Sequence, residues 1–150
     1  MRGSVTKRFA VLCAGITVGF VFVGCGGDST PKVSVELSEY KINPDVASKK
    51  SGKIEFEVEN IGGTTHEFVV VRADDANALP TEPEGAVDED KIAEADQIGE
   101  VEDVAPKEKK KASFELEPGR YVFFCNVVDD TANPPLSHFD QGMHVSFTVS

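Results

Sequence analysis

The chain has 150 residues, with 26 acidic against 15 basic side chains and a formal charge of −11. An excess of that sign argues against nucleic acid as a partner, because phosphate binding rests on clustered Lys and Arg. The length suits one compact domain and hardly two.

In chain order the first segment reads as an export signal. Arg2, Lys7 and Arg8 precede residues 9–24, a nearly unbroken run of apolar and small residues. The run is short for a membrane-spanning helix, which needs about 20 residues, and it has the character of a secretory h-region. Its end, Phe22-Val23-Gly24-Cys25, resembles the lipobox of bacterial lipoproteins, with Phe22 where Leu is usual. In such a signal the small residue before Cys suits the signal peptidase and the Cys thiol carries the diacylglycerol. Residues 1–24 are then a lipoprotein signal peptide, Cys25 is the lipidation site and residues 25–32 are a lipid-anchored tether. The protein is expected to be exported and held at the periplasmic or extracellular face of a bacterial membrane. An uncleaved anchor and a plain secretory signal are the competing readings. Cleavage leaves 126 of the 150 residues, with 12 basic and 26 acidic side chains and a mature charge of −14.

Processing also settles the cysteine count. Cys13 leaves with the signal and Cys25 is taken by lipid, so Cys125 remains alone in a compartment where bare thiols oxidise. It is either buried and structural or used as a ligand.

Residues 33–150 carry strand patterns. Val33, Val35 and Leu37 alternate with polar residues, as do Ile54, Phe56 and Val58 after the Ser51-Gly52 turn. A Gly-containing turn over residues 60–65 leads to a third strand over residues 66–72, whose Val69-Val70-Val71 predicts burial on both faces. Phe114 and Leu116 mark a fourth strand, Pro118-Gly119 turns the chain into a fifth over residues 120–126, and Val145, Phe147 and Val149 mark a last one. Short strands with turns between them predict an all-β fold, an antiparallel Greek-key β-sandwich.

Residues 73–105 interrupt this pattern with twelve acidic residues and one Lys, a net charge of −11. Within this acidic, partly helical insertion a short helix is expected over residues 88–97, with Asp88 at its N-cap. The segment reads as a solvated insertion or, alternatively, as a surface that steers a basic partner. A calcium loop is excluded, since Ile92 and Ala93 stand where an oxygen ligand and the turn Gly belong.

Four residues combine into a chemistry. Two imidazoles, one thiolate and one thioether are the donor set of a mononuclear blue-copper site, and His66, Cys125, His138 and Met143 supply it. Strand parity points the His66 imidazole inward with Phe68 and Val70, and places Cys125 on the face of Tyr121 and Phe123. Met143 shares parity with Val145, Phe147 and Val149, whereas His144 should face solvent, so parity selects Met143 as the axial group.

In these residues the chain resembles a cupredoxin, a blue type 1 copper protein. Asn60-Ile61-Gly62-Gly63-Thr64-Thr65-His66-Glu67-Phe68 is similar to the family's turn and first His ligand. Residues 116–125, Leu-Glu-Pro-Gly-Arg-Tyr-Val-Phe-Phe-Cys, resemble the turn and strand that deliver its Cys, and His138-Phe139-Asp140-Gln141-Gly142-Met143 resembles the second His and axial Met. The resemblance implies one copper ion held by His66, Cys125 and His138 with Met143 as weak axial ligand. It also implies that Asn60 ties the ligand loops by hydrogen bonds and that Glu67 braces the Cys loop, although Glu67 also reads as a solvated strand residue. The chain departs from the family in the twelve residues between Cys125 and His138, where better-known members have only a few. Closing the longer loop costs only about 1 kcal/mol more than closing a four-residue one. The extra residues are expected to bulge outward while the two ligands still converge.

The function implied is a membrane-tethered, monomeric carrier of single electrons through Cu(I)/Cu(II), serving redox proteins that are basic and membrane-bound. A copper-trafficking lipoprotein and a metal-free interaction module are the alternatives. Catalysis is not expected: with His66 and His138 used, His144 alone is no imidazole set for a second copper centre, one thiol excludes a binuclear electron-transfer site, and no nucleophile elbow or phosphate loop appears.

Overall fold

A computed structural model describes residues 30–150; the signal peptide, the Cys25 lipidation site and residues 25–29 of the tether lie outside them. The strands are β1 (Lys32–Ser38), β2 (Lys41–Pro44), β3 (Ser48–Lys49), β4 (Gly52–Asn60), β5 (His66–Arg72), β6 (Gln97–Val104), β7 (Lys109–Leu116), β8 (Gly119–Phe124), β9 (Val128–Asp129), β10 (Leu136–Ser137) and β11 (His144–Val149). They form a four-stranded sheet in the order β2-β1-β4-β7, a five-stranded sheet in the order β3-β11-β8-β5-β6, and a small β9-β10 hairpin.

Alternation decides which faces meet. Val33, Val35 and Leu37 of β1 and Ile54, Phe56 and Val58 of β4 are buried, while the Lys, Ser and Glu residues between them point outward. Opposite them lie Phe68 and Val70 of β5, Tyr121 and Phe123 of β8, and Phe147 and Val149 of β11. Phe56 sits 5.5 Å from both Phe68 and Phe123, and Phe123 stacks on Phe147 at 4.8 Å. Each fully buried side chain of this kind contributes roughly 1.5–3 kcal/mol, so the aromatics and their aliphatic neighbours together close the two sheets. Cys125 and Met143 belong to the same core.

The β-sandwich is as expected, but its sheets are not antiparallel throughout. β1 runs parallel to β4 and β3 runs parallel to β11, so both main sheets are mixed. The cause lies between β1 and β4, where the chain turns back as β2, crosses to the other sheet as β3 and returns in its original direction. A crossover of that length permits a parallel pair, whereas a tight hairpin forces an antiparallel one.

The helix expected over residues 88–97 is also corrected. Two 3-10 turns, Glu89–Lys91 and Glu94–Asp96, stand there, separated by extended backbone at Ile92 and Ala93, and Gln97 already begins β6. Asp88 pairs with Lys91 and makes no cap hydrogen bond. An isolated helix of this length is marginal in water, and burial of Ile92 together with β6 pairing outweighs it.

Nor is the insertion merely solvated. The residues that bury the outer face of the five-stranded sheet, Val69, Val71, Val122 and Phe124, pack under Leu79, Val87 and Ile92. The double-sided burial predicted for Val69-Val70-Val71 therefore has its cover, and the insertion supplies it.

Candidate metal centre

Three adjacent strands deliver the candidate ligands to one end of the sandwich. His66 opens β5, Cys125 directly follows β8, and His138 and Met143 bracket the loop that enters β11. Backbone hydrogen bonds fix their spacing: Cys125 N–H donates to Met143 O at 3.1 Å, Met143 N–H to His138 O at 3.0 Å, and His138 N–H to Val127 O at 2.9 Å. His66, Cys125 and Met143 are fully buried and His138 retains 5% exposure. His144 is exposed, as parity predicted.

The donor atoms converge. His66 Nδ1 lies 3.2 Å from His138 Nδ1, and Cys125 Sγ lies 3.4 Å from His138 Nδ1 and 3.9 Å from His66 Nδ1. In a triangle with these sides the point equidistant from all three atoms is about 2 Å from each, close to the roughly 2.0–2.3 Å of imidazole-to-metal and thiolate-to-metal bonds. Among the described residues these three form a metal-capable group, all ligand atoms lying within 4.8 Å of one another. At most one of the two facing nitrogens can donate to the other, whereas with both lone pairs turned inward they can serve one cation between them. Soft sulfur with two imidazoles selects copper over the hard oxygen-seeking ions, and the site fits a single type 1 copper ion.

Burial prepares the protonation states. Desolvation lowers His66 to about 4, helped by His138, and also lowers His138, so both imidazoles are neutral at pH 7. Desolvation pushes the Cys125 thiol up to about 11, against the backbone N–H groups of Glu67 and Val127 that favour the thiolate. Thr64 Oγ1 stands 3.4 Å from His66 Nε2, a partner for the proton of the tautomer that leaves Nδ1 free.

Around the donors the chain is tied by side-chain hydrogen bonds. Asn60 Nδ2 donates to Thr64 O at 2.7 Å and to Val104 O at 2.8 Å, and Asn60 Oδ1 accepts Gly62 N–H at 2.9 Å, locking the turn before His66 onto β6. Glu67 N–H donates to Cys125 Sγ at 3.4 Å, and Glu67 Oε1 accepts Asn126 N–H at 2.7 Å. Its carboxyl is raised to about 7, first by burial and then by the neighbouring Glu89, Glu100 and Glu102.

The long loop between Cys125 and His138 is not slack. Leu136 pairs with Asp129 and Ser137 with Val128, so β9 and β10 carry the extra residues away as a hairpin while their bases hold both ligands.

Sequence reasoning did not single out Tyr40, Thr64 or Asn126. Thr64 stands two residues before His66 and was within reach of the motif. Tyr40 sits at a left-handed turn with φ 58° and sets its ring edge-on to His138 at 5.5 Å; nothing local in the sequence marks that contact.

A β-sandwich with two imidazoles and a thiol gathered at one pole is a cupredoxin fold with a potential copper site. No protein-family model and no curated protein sequence matches the chain. Solved structures do. Auracyanin from Roseiflexus castenholzii is 19% identical, with 83% of this chain and 99% of that chain covered at a TM-score of 0.55. Auracyanin B is 17% identical, with 82% and 92% covered at 0.54, and rusticyanin from Thiobacillus ferrooxidans is 13% identical, with 81% and 79% covered at 0.53. At these identities the likeness establishes the fold, and the chemistry rests on the residues just described.

Proposed function

We propose that the chain is a blue copper protein that shuttles single electrons, anchored through lipid on Cys25 to the outer face of a bacterial membrane. His66 and His138 would hold the ion through nitrogen, Cys125 through its thiolate and Met143 as a weak axial group. Copper supplies a one-electron Cu(I)/Cu(II) couple whose potential the ligands tune. The carrying observation is the convergence of one sulfur and two neutral imidazole nitrogens about a single point inside a packed core.

The surrounding residues fit a carrier rather than a catalyst. The buried donors exclude water, and the hydrogen bonds of Asn60, Thr64 and Glu67 resist movement when charge changes. His138, the least buried of the three donors, lines an open cleft with Thr64, Thr65, Val127 and Asp129. Its ring edge is therefore the route by which a redox partner approaches. The acidic balance favours basic partners, and the protein acts as a monomer.

Copper titration monitored by visible absorption and paramagnetic resonance tests the reading. An intense thiolate-to-copper band that bleaches on reduction and returns on reoxidation is expected, with Cys125→Ser abolishing it. Colourless binding, or loss of copper at each reduction, would overturn the carrier reading in favour of trafficking. Cys25→Ser should release the protein from membranes; retention of the variant would sink the anchor.

A further inference from the structure

The acidic insertion reaches the ligand end of the sheet through the residue directly after Cys125. Asn126 turns its whole side-chain amide toward it: Oδ1 accepts Val87 N–H at 2.6 Å, and Nδ2 donates to Val87 O at 2.9 Å and to Glu89 Oε1 at 2.8 Å. By matching both the N–H and the C=O of Val87, the side chain replaces a rung of strand pairing. Its own backbone N–H donates to Glu67 Oε1, so the residue beside the thiol is held from β5 and from the insertion at once.

The same segment is anchored behind these bonds. Gln97 Nε2 donates to Glu89 O at 2.9 Å and Ile92 O at 3.0 Å, fixing the first residue of the Glu89–Lys91 turn and the residue that follows it. Leu79, Val87 and Ile92 pack on Phe124, which precedes Cys125, and on Phe139, which follows His138. The turn at Gly85 approaches the other ligand loop so closely that a Cβ there would stand 2.7 Å from Asp140 Cβ.

We propose that residues 79–92 form an outer brace for the metal-binding end and that Asn126 is its clasp, a positioning residue that fixes Cys125 through the main chain. The inference rests on the copper reading above for its spectroscopic consequences. The physical need is local. β8 ends at Phe124 and the chain beyond Asn126 leaves for the β9-β10 hairpin, so Cys125 sits at the last secured position of its strand. A donor at a strand end keeps its geometry only if the residues around it are locked by their own partners.

Variants of the full chain test the clasp in two ways. In the metal-free reduced protein, labelling of the buried Cys125 by a small thiol reagent, read peptide by peptide by mass spectrometry, reports local opening. Asn126→Ala removes three side-chain hydrogen bonds and should raise that rate roughly tenfold or more. Glu89→Ala, which removes one, should raise it by a few-fold. Val149→Ala, in the core at the far end of β11, should leave it near the wild-type value. In the copper-loaded protein, Asn126→Ala should shift the thiolate-to-copper band and the hyperfine pattern, and Val149→Ala should not. Wild-type labelling and spectra in Asn126→Ala would overturn the proposal, as would equal shifts in Val149→Ala. If Asn126→Ala does not fold, Asn126→Asp and Glu89→Ala carry both readouts. If the wild-type protein develops no copper band, the copper reading falls while the labelling still decides the brace.

Discussion

Cys125 meets its metal as a thiol, because burial holds its ionisation near 11. Both histidines meet it neutral, since burial lowers His138 and takes His66 to about 4. Metal binding requires deprotonated ligands, so Cu(I) uptake at pH 7 should release close to a single proton, that of Cys125. Calorimetry in two buffers of different ionisation heat measures this, and Cys125→Ser should release almost none. The stability of the metal-free protein carries opposite signs from two neighbours. His66 has its folded value below its unfolded one, so the unfolded chain takes up the extra proton and stability falls as pH drops from about 6.5 towards about 4. Glu67 is raised to about 7, so the folded state holds the extra proton and stability falls as pH climbs from about 4.5 through 7. Glu67→Gln keeps the oxygen that accepts Asn126 N–H and removes the second effect. Urea midpoints across this range should then rise more steeply with pH than in wild type, and the variant should be the more stable of the two at pH 8. Parallel profiles would contradict the assignment.

Loop length and ligand geometry separate cleanly at the β9-β10 hairpin. Asp129 and Leu136 are directly paired, so the six residues between them can be exchanged for the Asn-Gly of a two-residue hairpin turn. Replacing residues 130–135 in this way should leave the visible copper band where it was, and a displaced band would show that the hairpin tip shapes the site. The insertion behaves differently because its apolar residues cover a sheet face. Ile92→Ala, which truncates a side chain buried against Val69, Val71 and Phe124, should cost about 2 kcal/mol in urea unfolding, the low end for such truncations. What the sequence made legible follows the same division. β1, β4, β5 and β11 have one consistent inward face, or two in β5, and their alternation or apolar run could be read directly. β2 and β3 are short edge pieces with too few residues to show a period. β6 was hidden because its pairing with β5 shifts register twice and because Gly99, pressed against Phe114, interrupts its pattern. The residue types of the metal-capable group, His66, Cys125 and His138, were legible because chemistry restricts which side chains can gather there. The Asn126 clasp was not, since its partner lies 39 residues away across a segment whose charge suggested solvent.

Charge is distributed unevenly over the molecule, and that unevenness decides how it meets other molecules. On the outer face of the four-stranded sheet acid is matched by base: Lys32 pairs with Glu55 at 3.1 Å, Lys109 with Glu57 and Glu59 at 3.3 and 2.9 Å, and Lys111 with Glu57 at 3.2 Å. Such exposed pairs add little stability, but they cancel the field on that side. The insertion has only Lys91 against its twelve acids, and through Asn126 and Phe139 it adjoins the metal-binding end. Asp129 and Asp130 add to the same rim beside His138. A small cationic oxidant should therefore be drawn to the end where His138 lies, and an anionic oxidant of equal driving force should be repelled. The field reaches about 30 Å at 0.01 M salt and about 10 Å at 0.1 M. Stopped-flow oxidation of the reduced copper protein should accordingly slow with added salt for the cation and quicken for the anion. Charge reversal at Asp129 and Asp130 should flatten both dependences more than reversal at Glu57 and Glu59. Equal effects from the two pairs would mean that net charge, and not its placement beside His138, governs encounter.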